Sequence, residues 1–293
     1  MTKTMFLKSL LPHKRHFRKQ TRENEDGASV ATENHSESSM SPANSAELHT
    51  QKEEECLRKL KEDCHLRKMS ASDMTIFRFA CFYDFVYEKA RSALVEKYND
   101  PHLSMQMEDK LCEQFQNKVI FPLPGLRTKN KKQGVVYFHA ARHFTATMDT
   151  EMLVSNMTYI FNDMSLTEEQ CRNGVAMIID LNHWTLKNFT PECSNKFFKA
   201  LQYQVPTKVE TVLIVNAPRW FPKLYRHLFK KMMAKSFSKK VHILKKSEQL
   251  QTHLAEGYEK YLPVEMGYWV DSTEIVDDFI DWKRHNEESS SNR

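Results

Sequence analysis

The chain has 293 residues, of which 40% are hydrophobic, 11% aromatic and 28% charged, enough for a sizeable core in one large or two small domains. Six glycines and ten prolines exclude collagen-like architectures and leave little material for Gly-rich phosphate loops. The 43 Lys and Arg outnumber the 38 Asp and Glu by five, an excess that suits an anionic surface without requiring nucleic acid.

Residues 1–22 carry Lys3, Lys8, Lys14, Arg15, Arg18, Lys19 and Arg22 and no acidic residue. The apolar patch at the start is short, contains Pro12 and lacks a small-residue cleavage site, so the expectation is an intracellular protein without a secretory signal. No apolar run approaches the ~18–20 residues of a membrane-spanning helix. Residues 23–55 are rich in Ser, Asn, Glu and Thr, and such a stretch buries too little surface to offset its ordering entropy. A disordered tail over 1–55 is predicted, its basic start serving as a membrane-surface contact, an organelle address or a solvated tail.

Folded sequence is expected from about Cys56, with two or three helices over 56–118. One is MTIFRFACFYDFVYEKARSALVEKY, capped at Asp73 and broken near 83–85. The segment FPLPGLRTKNKKQG reads as turns. VVYFHAA (135–141) follows as a strand, then a helix over 149–164, a buried strand in 173–184, a helix over 190–205, a second buried strand in 209–218 and a short strand at 240–244. Near-continuous apolar strands separated by helices predict an α/β fold, with a partly parallel sheet covered by helices. DSTEIVDDFIDWKR (271–284) reads as a helix with Asp271 as a cap and Ile275, Val276, Phe279 and Ile280 on its apolar face.

The cysteines at 56, 64, 81, 112, 171 and 193 form no C-x-x-C pair and no zinc-finger spacing, so free and partly buried thiols are expected. His139 and His143 stand four apart at a strand end, where that spacing does not bring side chains together; no metal site is predicted. The signatures of serine hydrolases, P-loop enzymes, zincins and dinucleotide enzymes are all absent from the sequence, and no enzyme activity and no cofactor are expected. HLFKKMMAKSF (227–237) can align Leu228, Phe229, Met232, Met233 and Phe237 on one helical face with Lys230, Lys231 and Lys235 elsewhere. This pattern suits either a membrane interface or a core helix.

The segments MTIFRFACFYDFVYEKA (74–90), MIIDLNHW (177–184), VPTKVETVLIVNAPRWF (205–221), KKMMAKSFSKKVHIL (230–244) and YLPVEMGY (261–268) together resemble the CRAL-TRIO lipid-binding family, which includes retinaldehyde-binding and tocopherol-transfer proteins. The resemblance implies a helical subdomain at 56–118, a CRAL-TRIO mixed sheet with its helices at 119–270 enclosing an apolar lipid cavity, and a C-terminal helix and tail at 271–293. It implies a gate helix at 227–237 and a cavity lined by Phe138, Val154, Thr158, Phe161, Val175, Met177, Ile179, Leu186, Phe197, Leu201, Val205 and Val212, closed by Met232 and Met233. Phosphoinositide or membrane contact is implied for Lys208 and Lys240, with Lys235 and Lys239 as neighbours.

The departures from the family pattern fall at Lys231 in place of Pro, at Cys81 and Tyr83 in the helical Arg motif, where only Arg78 remains, and at Tyr268 in place of Gly. Thr207 stands where the phosphatidylinositol-transfer branch has Glu, which favours a neutral retinoid-, tocopherol- or isoprenoid-like cargo. Asp180 is implied to be structural. The resulting expectation is a monomeric, cytoplasmic, peripherally membrane-associated lipid carrier whose partners are a hydrophobic lipid and an anionic membrane. The alternative is a lipid-sensing regulatory adaptor that recruits a protein through its tail.

Overall fold

In the computed structural model, residues 42–98, 109–143 and 150–291 are described. Apart from Pro42 they fall in one compact unit, Ala43–Arg293. The tail expected over 1–55 lies outside the described residues as far as position 41. Beyond it the boundary differs from expectation, because the first helix, α1, runs Pro42–Leu66 and crosses residue 55. Among its described side chains the buried stripe is Cys56, Leu60 and Cys64, too narrow to stand out in a polar sequence. Ion pairs one turn apart, Arg58–Glu62 at 2.6 Å and Lys59–Glu55 at 3.0 Å, support the helix, and Arg172 holds Glu53 with two hydrogen bonds of 2.9 and 2.6 Å.

Helix α2 (Asp73–Phe82) is capped by Ser72, one residue before the expected cap, since the Ser72 hydroxyl accepts from the Thr75 N–H at 3.1 Å. The expected break follows at Asp84 and Phe85, which both adopt positive φ. Helix α3 is Tyr87–Lys97 and α4 is Asp109–Gln116. Helices α1 to α3 share a small apolar core, to which Cys171 is added from a later helix.

The sheet has five strands in the order β1 (Ile120–Arg127), β2 (Gly134–His139), β3 (Val175–Asp180), β4 (Val209–Val215) and β5 (Val241–Ile243). β1 is antiparallel to β2 and the remaining pairs are parallel, which makes the predicted mixed sheet. β1 occupies the stretch read as turns. Pro122 and Pro124 hid it, and as an edge strand it can carry residues without an N–H.

Helices α5 (Thr150–Asp163) and α6 (Glu168–Asn173) lead from β2 to β3. α7 (Pro191–Lys199), continued by a π-helical turn Ala200–Gln204, leads from β3 to β4. Gly174 joins α6 to β3 at φ +68°, where an added Cβ would lie 2.4 Å from the Lys208 carbonyl oxygen. The final helix, α10 (Ser272–Ser291), packs Ile275, Val276, Phe279 and Ile280 into the main core. Its Lys283 pairs with Asp163 at 2.8 Å, and the Asp271 carboxylate accepts from the Thr273 N–H at 2.7 Å.

Between β4 and β5 the gate expected as one helix over 227–237 is two pieces. A helical stretch over 221–232, α8, consists of α-turns Phe221–Leu224 and Lys230–Met232 on either side of a π-helical turn Tyr225–Phe229. Met233 is extended, and a short helix, α9 (Lys235–Ser238), follows. The Gln202 side-chain carbonyl accepts from the Ala234 N–H at 2.7 Å and so satisfies a backbone donor that the break leaves free. Phe229, Met233 and Phe237 remain buried, each brought inward by a different local conformation instead of a shared helical face.

Candidate lipid-binding site

One rung of the sheet carries Phe138, Ile179 and Ile214 as neighbours across β2, β3 and β4. These residues stand near the carboxyl ends of parallel strands, where open α/β sheets characteristically hold ligands. Above the rung lies a cavity of about 80 Å³. Its walls come from Leu153 on α5, from Phe197 and Phe198 on α7, from Trp184 and Phe189 in the segment after β3, and from Phe221, Tyr225 and Phe229 on α8. The rings touch in sequence: Phe138 to Phe197 at 5.2 Å, Phe198 to Phe229 at 5.7 Å, Phe189 to Phe229 at 5.3 Å and Trp184 to Phe221 at 5.8 Å between centroids. At the start of α8 the half-exposed Trp220 stacks on buried Trp184 at 5.3 Å.

The polar side chains around this cavity are mostly spent on local structure. Asn188 donates to the carbonyl oxygens of Ala141 and His143 at 2.8 and 3.1 Å and accepts from the Thr185 N–H, which ties the segment after β3 to the end of β2. Thr190 caps α7 by accepting from the Cys193 N–H at 3.1 Å. His143 Nε2 lies 3.3 Å from Cys193 Sγ. Burial pushes the Cys193 thiol up and the His143 imidazole down, so both are neutral at neutral pH.

Of the residues expected to line the cavity, Phe138, Ile179 and Phe197 do so. Met177 and Val212 share a rung two residues back toward the amino ends of their strands, and Val175 is two residues further back on β3. Val154, Thr158 and Phe161 are buried on α5, and the Thr158 hydroxyl donates to the Val154 carbonyl oxygen at 2.8 Å. Leu201, Val205 and Met233 are buried, Met232 is half-buried and Leu186 is exposed. The wall that sequence reasoning missed is aromatic and comes from 184–189 and 221–229. Its signal was the density of rings in HWTLKNF and RWFPKLYRHLF.

The basic residues are divided. Lys208 pairs with Asp84 at 2.5 Å beside an open polar recess of about 460 Å³ that Lys52, Glu53 and Arg172 also border. Lys240 pairs with Glu210 at 2.6 Å, and Lys131 also contacts that carboxylate, at 3.2 Å. Burial raises the Glu210 pKa, but the two lysines outweigh it and hold the carboxyl below the usual carboxylate range. Lys235 and Lys239 are exposed on and after α9. Asp180 is fully buried and accepts from the Tyr137 hydroxyl, the Asn182 N–H and the Asn216 amide at 2.8, 2.8 and 3.0 Å, a structural role.

The CRAL/TRIO domain model matches residues 117–267, just over half the chain and the stretch that contains this sheet and cavity. The chain belongs to the CRAL/TRIO domain family. The crystal structure of Sfh5 superposes with a TM-score of 0.56 at 16% identity, covering 80% of this chain and 98% of that one, a likeness of fold. Tyrosine-protein phosphatase non-receptor type 9 from mouse and from human is 24% identical over 139 residues, which is 46% of this chain but 23% of the phosphatase. This CRAL/TRIO chain thus spans under a quarter of the length of those relatives. The likeness is confined to the CRAL/TRIO region and implies no phosphatase activity. At the family level the fold serves lipid binding and transfer. Among the described residues no helix is long and apolar enough to cross a membrane.

Proposed function

We propose that this protein encloses one neutral hydrophobic lipid, of retinoid, tocopherol or isoprenoid type, and exchanges it at anionic membranes as α8 swings away from the sheet. The observation that carries the reading is the aromatic cavity between the strand ends and α8. At about 80 Å³ it is smaller than the ~150 Å³ that admits a benzene ring, so a lipid enters only if the rings on α8 and α7 give way. In this reading the cavity extends on opening along the sheet from the Phe138–Ile179–Ile214 rung to the neighbouring rung of Met177 and Val212. The guest is already buried in a bilayer, so at ~25 cal/mol per Å² on both sides the net affinity is a small difference, and exchange is reversible.

Phosphoinositide recognition is the finer part of the proposal. Lys208 and Lys240 serve it by leaving Asp84 and Glu210 for a headgroup, with Lys235 and Lys239 adding attraction.

The test is extraction and mass-spectrometric identification of lipid from the purified protein, repeated on Ser194→Trp, which fills the cavity from a half-buried position on its wall. One neutral lipid present in the native protein and lost from the variant is the expected result. Uptake of the same lipid by both would overturn the assignment of the cavity.

The adaptor reading draws on the phosphatase relatives, in which this region is a small part of a larger protein. Under that reading, deleting 1–41 abolishes recruitment of a protein partner and leaves lipid exchange unchanged. Under the carrier reading, exchange is the activity and likewise survives.

A further inference from the structure

All six cysteines are buried free thiols, but their surroundings differ. Cys193 alone borders the aromatic cavity, and so does His143. Its sulfur is 3.3 Å from His143 Nε2. Both residues are almost wholly shielded from solvent, Cys193 at 8% and His143 at 3% exposure, so a reagent reaches them by occupying the cavity. A nucleophile and a base in contact with it therefore meet on the wall of an apolar chamber.

We propose that Cys193 is a covalent capture site for electrophilic lipids, specifically α,β-unsaturated aldehydes, with His143 as its base. The inference rests on the lipid-cavity reading above, since the electrophile must occupy that cavity. In the step, the sulfur bonds to the β-carbon as its proton passes to His143 Nε2. The carbon–carbon double bond becomes single, and the imidazolium returns the proton to the α-carbon. Every atom of thiol and aldehyde stays in the adduct, no leaving group departs and no oxidant or reductant is consumed. An acyl transfer would instead need a donor for an oxyanion and an acid for a leaving group, and the nearby Asn188 amide is already committed to two backbone carbonyls.

Burial holds both groups neutral and disfavours a resting thiolate–imidazolium pair, so the thiol resists water-borne oxidants and its proton moves to His143 only as the carbon–sulfur bond forms. Selectivity thus comes from the cavity and not from a free thiolate.

The experiment treats the full-length protein with trans-2-nonenal and follows adducts by intact mass and peptide mapping, the other five cysteines acting as internal controls. One adduct at Cys193 is expected, with none in Cys193→Ser. In His143→Gln the rate should fall about a hundredfold, as loss of a positioned base does. In the native protein 1-nonanol, which has the same chain without the electrophile, should protect Cys193, a result that needs no variant to fold. Adducts spread over several cysteines, or no protection by nonanol, would overturn the proposal. If the protein binds nonanol but nonenal leaves Cys193 unmodified, capture fails and the carrier reading stands. If it binds neither, both fail together.

Discussion

At the scale of single residues, burial of ionisable groups sets the acid response of the fold. The His143 and His139 imidazoles are pushed below their ordinary value of 6.5, in both cases chiefly by burial, with the Asp180 charge partly restoring His139. Below pH 6.5 the unfolded chain therefore binds more protons than the folded one, and stability falls as the pH falls. Glu210 acts later: its depressed carboxyl contributes stability above the unfolded value of 4.5, which is lost as the pH drops through the folded value. Denaturant titrations at pH 7.5, 5.5 and 4 should show two successive losses, with His143→Gln flattening the first and Glu210→Gln the second. Gly174 gives a prediction independent of pH. At φ +68° and with a carbonyl oxygen where a Cβ would go, Gly174→Ala should destabilise by about 1–3 kcal/mol, measured by chemical unfolding. What the sequence made legible at this scale was part of the wall: Phe138 and Ile179 on the sheet and Phe197 on α7 border the cavity. The aromatic ceiling escaped notice because its rings sit in a capped turn and a π-helical turn, which regular periodicity does not index.

At the scale of elements, the parallel strands announce themselves because both of their faces are covered and their sequences are continuously apolar. β1 does not, since Pro122 and Pro124 interrupt its pattern, and α1 does not, since among its described side chains the buried stripe is only the small or aliphatic Cys56, Leu60 and Cys64. The segment 227–237 illustrates a different limit. Its apolar residues fit one ideal helix, yet the π-helical turn and the extended Met233 alter the phase and still bury Phe229, Met233 and Phe237. The break depends on Gln202, which donates to the Phe198 carbonyl oxygen at 2.8 Å and accepts from Ala234. Gln202→Leu leaves that N–H without its partner and should cost about 1 kcal/mol. If α8 is the moving part, the same variant should release a bound fluorescent lipid several-fold faster, and an unchanged release rate would exclude α8 as the moving part.

At the scale of the whole molecule, a positive net charge does not by itself make a positive docking face. Asp84 and Glu210 neutralise the two lysines that the family pattern singles out, while Lys235 and Lys239 lie exposed on and after α9, just beyond α8. Asp84→Asn removes a carboxylate that is itself largely exposed, so the fold should tolerate it. It should raise affinity for phosphatidylserine vesicles about fivefold, in line with ~1 kcal/mol for a freed cation near an anionic surface. Added salt should erase the gain, and vesicle co-sedimentation that gives equal affinities would place the membrane contact elsewhere.

The Trp184–Trp220 stack has a consequence in optics. One indole belongs to the chamber wall and the other to the first turn of the segment above it, 5.3 Å away and inclined by only 28°. Two chromophores this close share their excited states, whereas Trp269 and Trp282 lie at exposed sites outside the chamber wall. Under the proposed exchange the pair is a native gauge of opening: a paired band in the ultraviolet circular dichroism spectrum should fade on addition of a lipid that parts the rings and return on its removal.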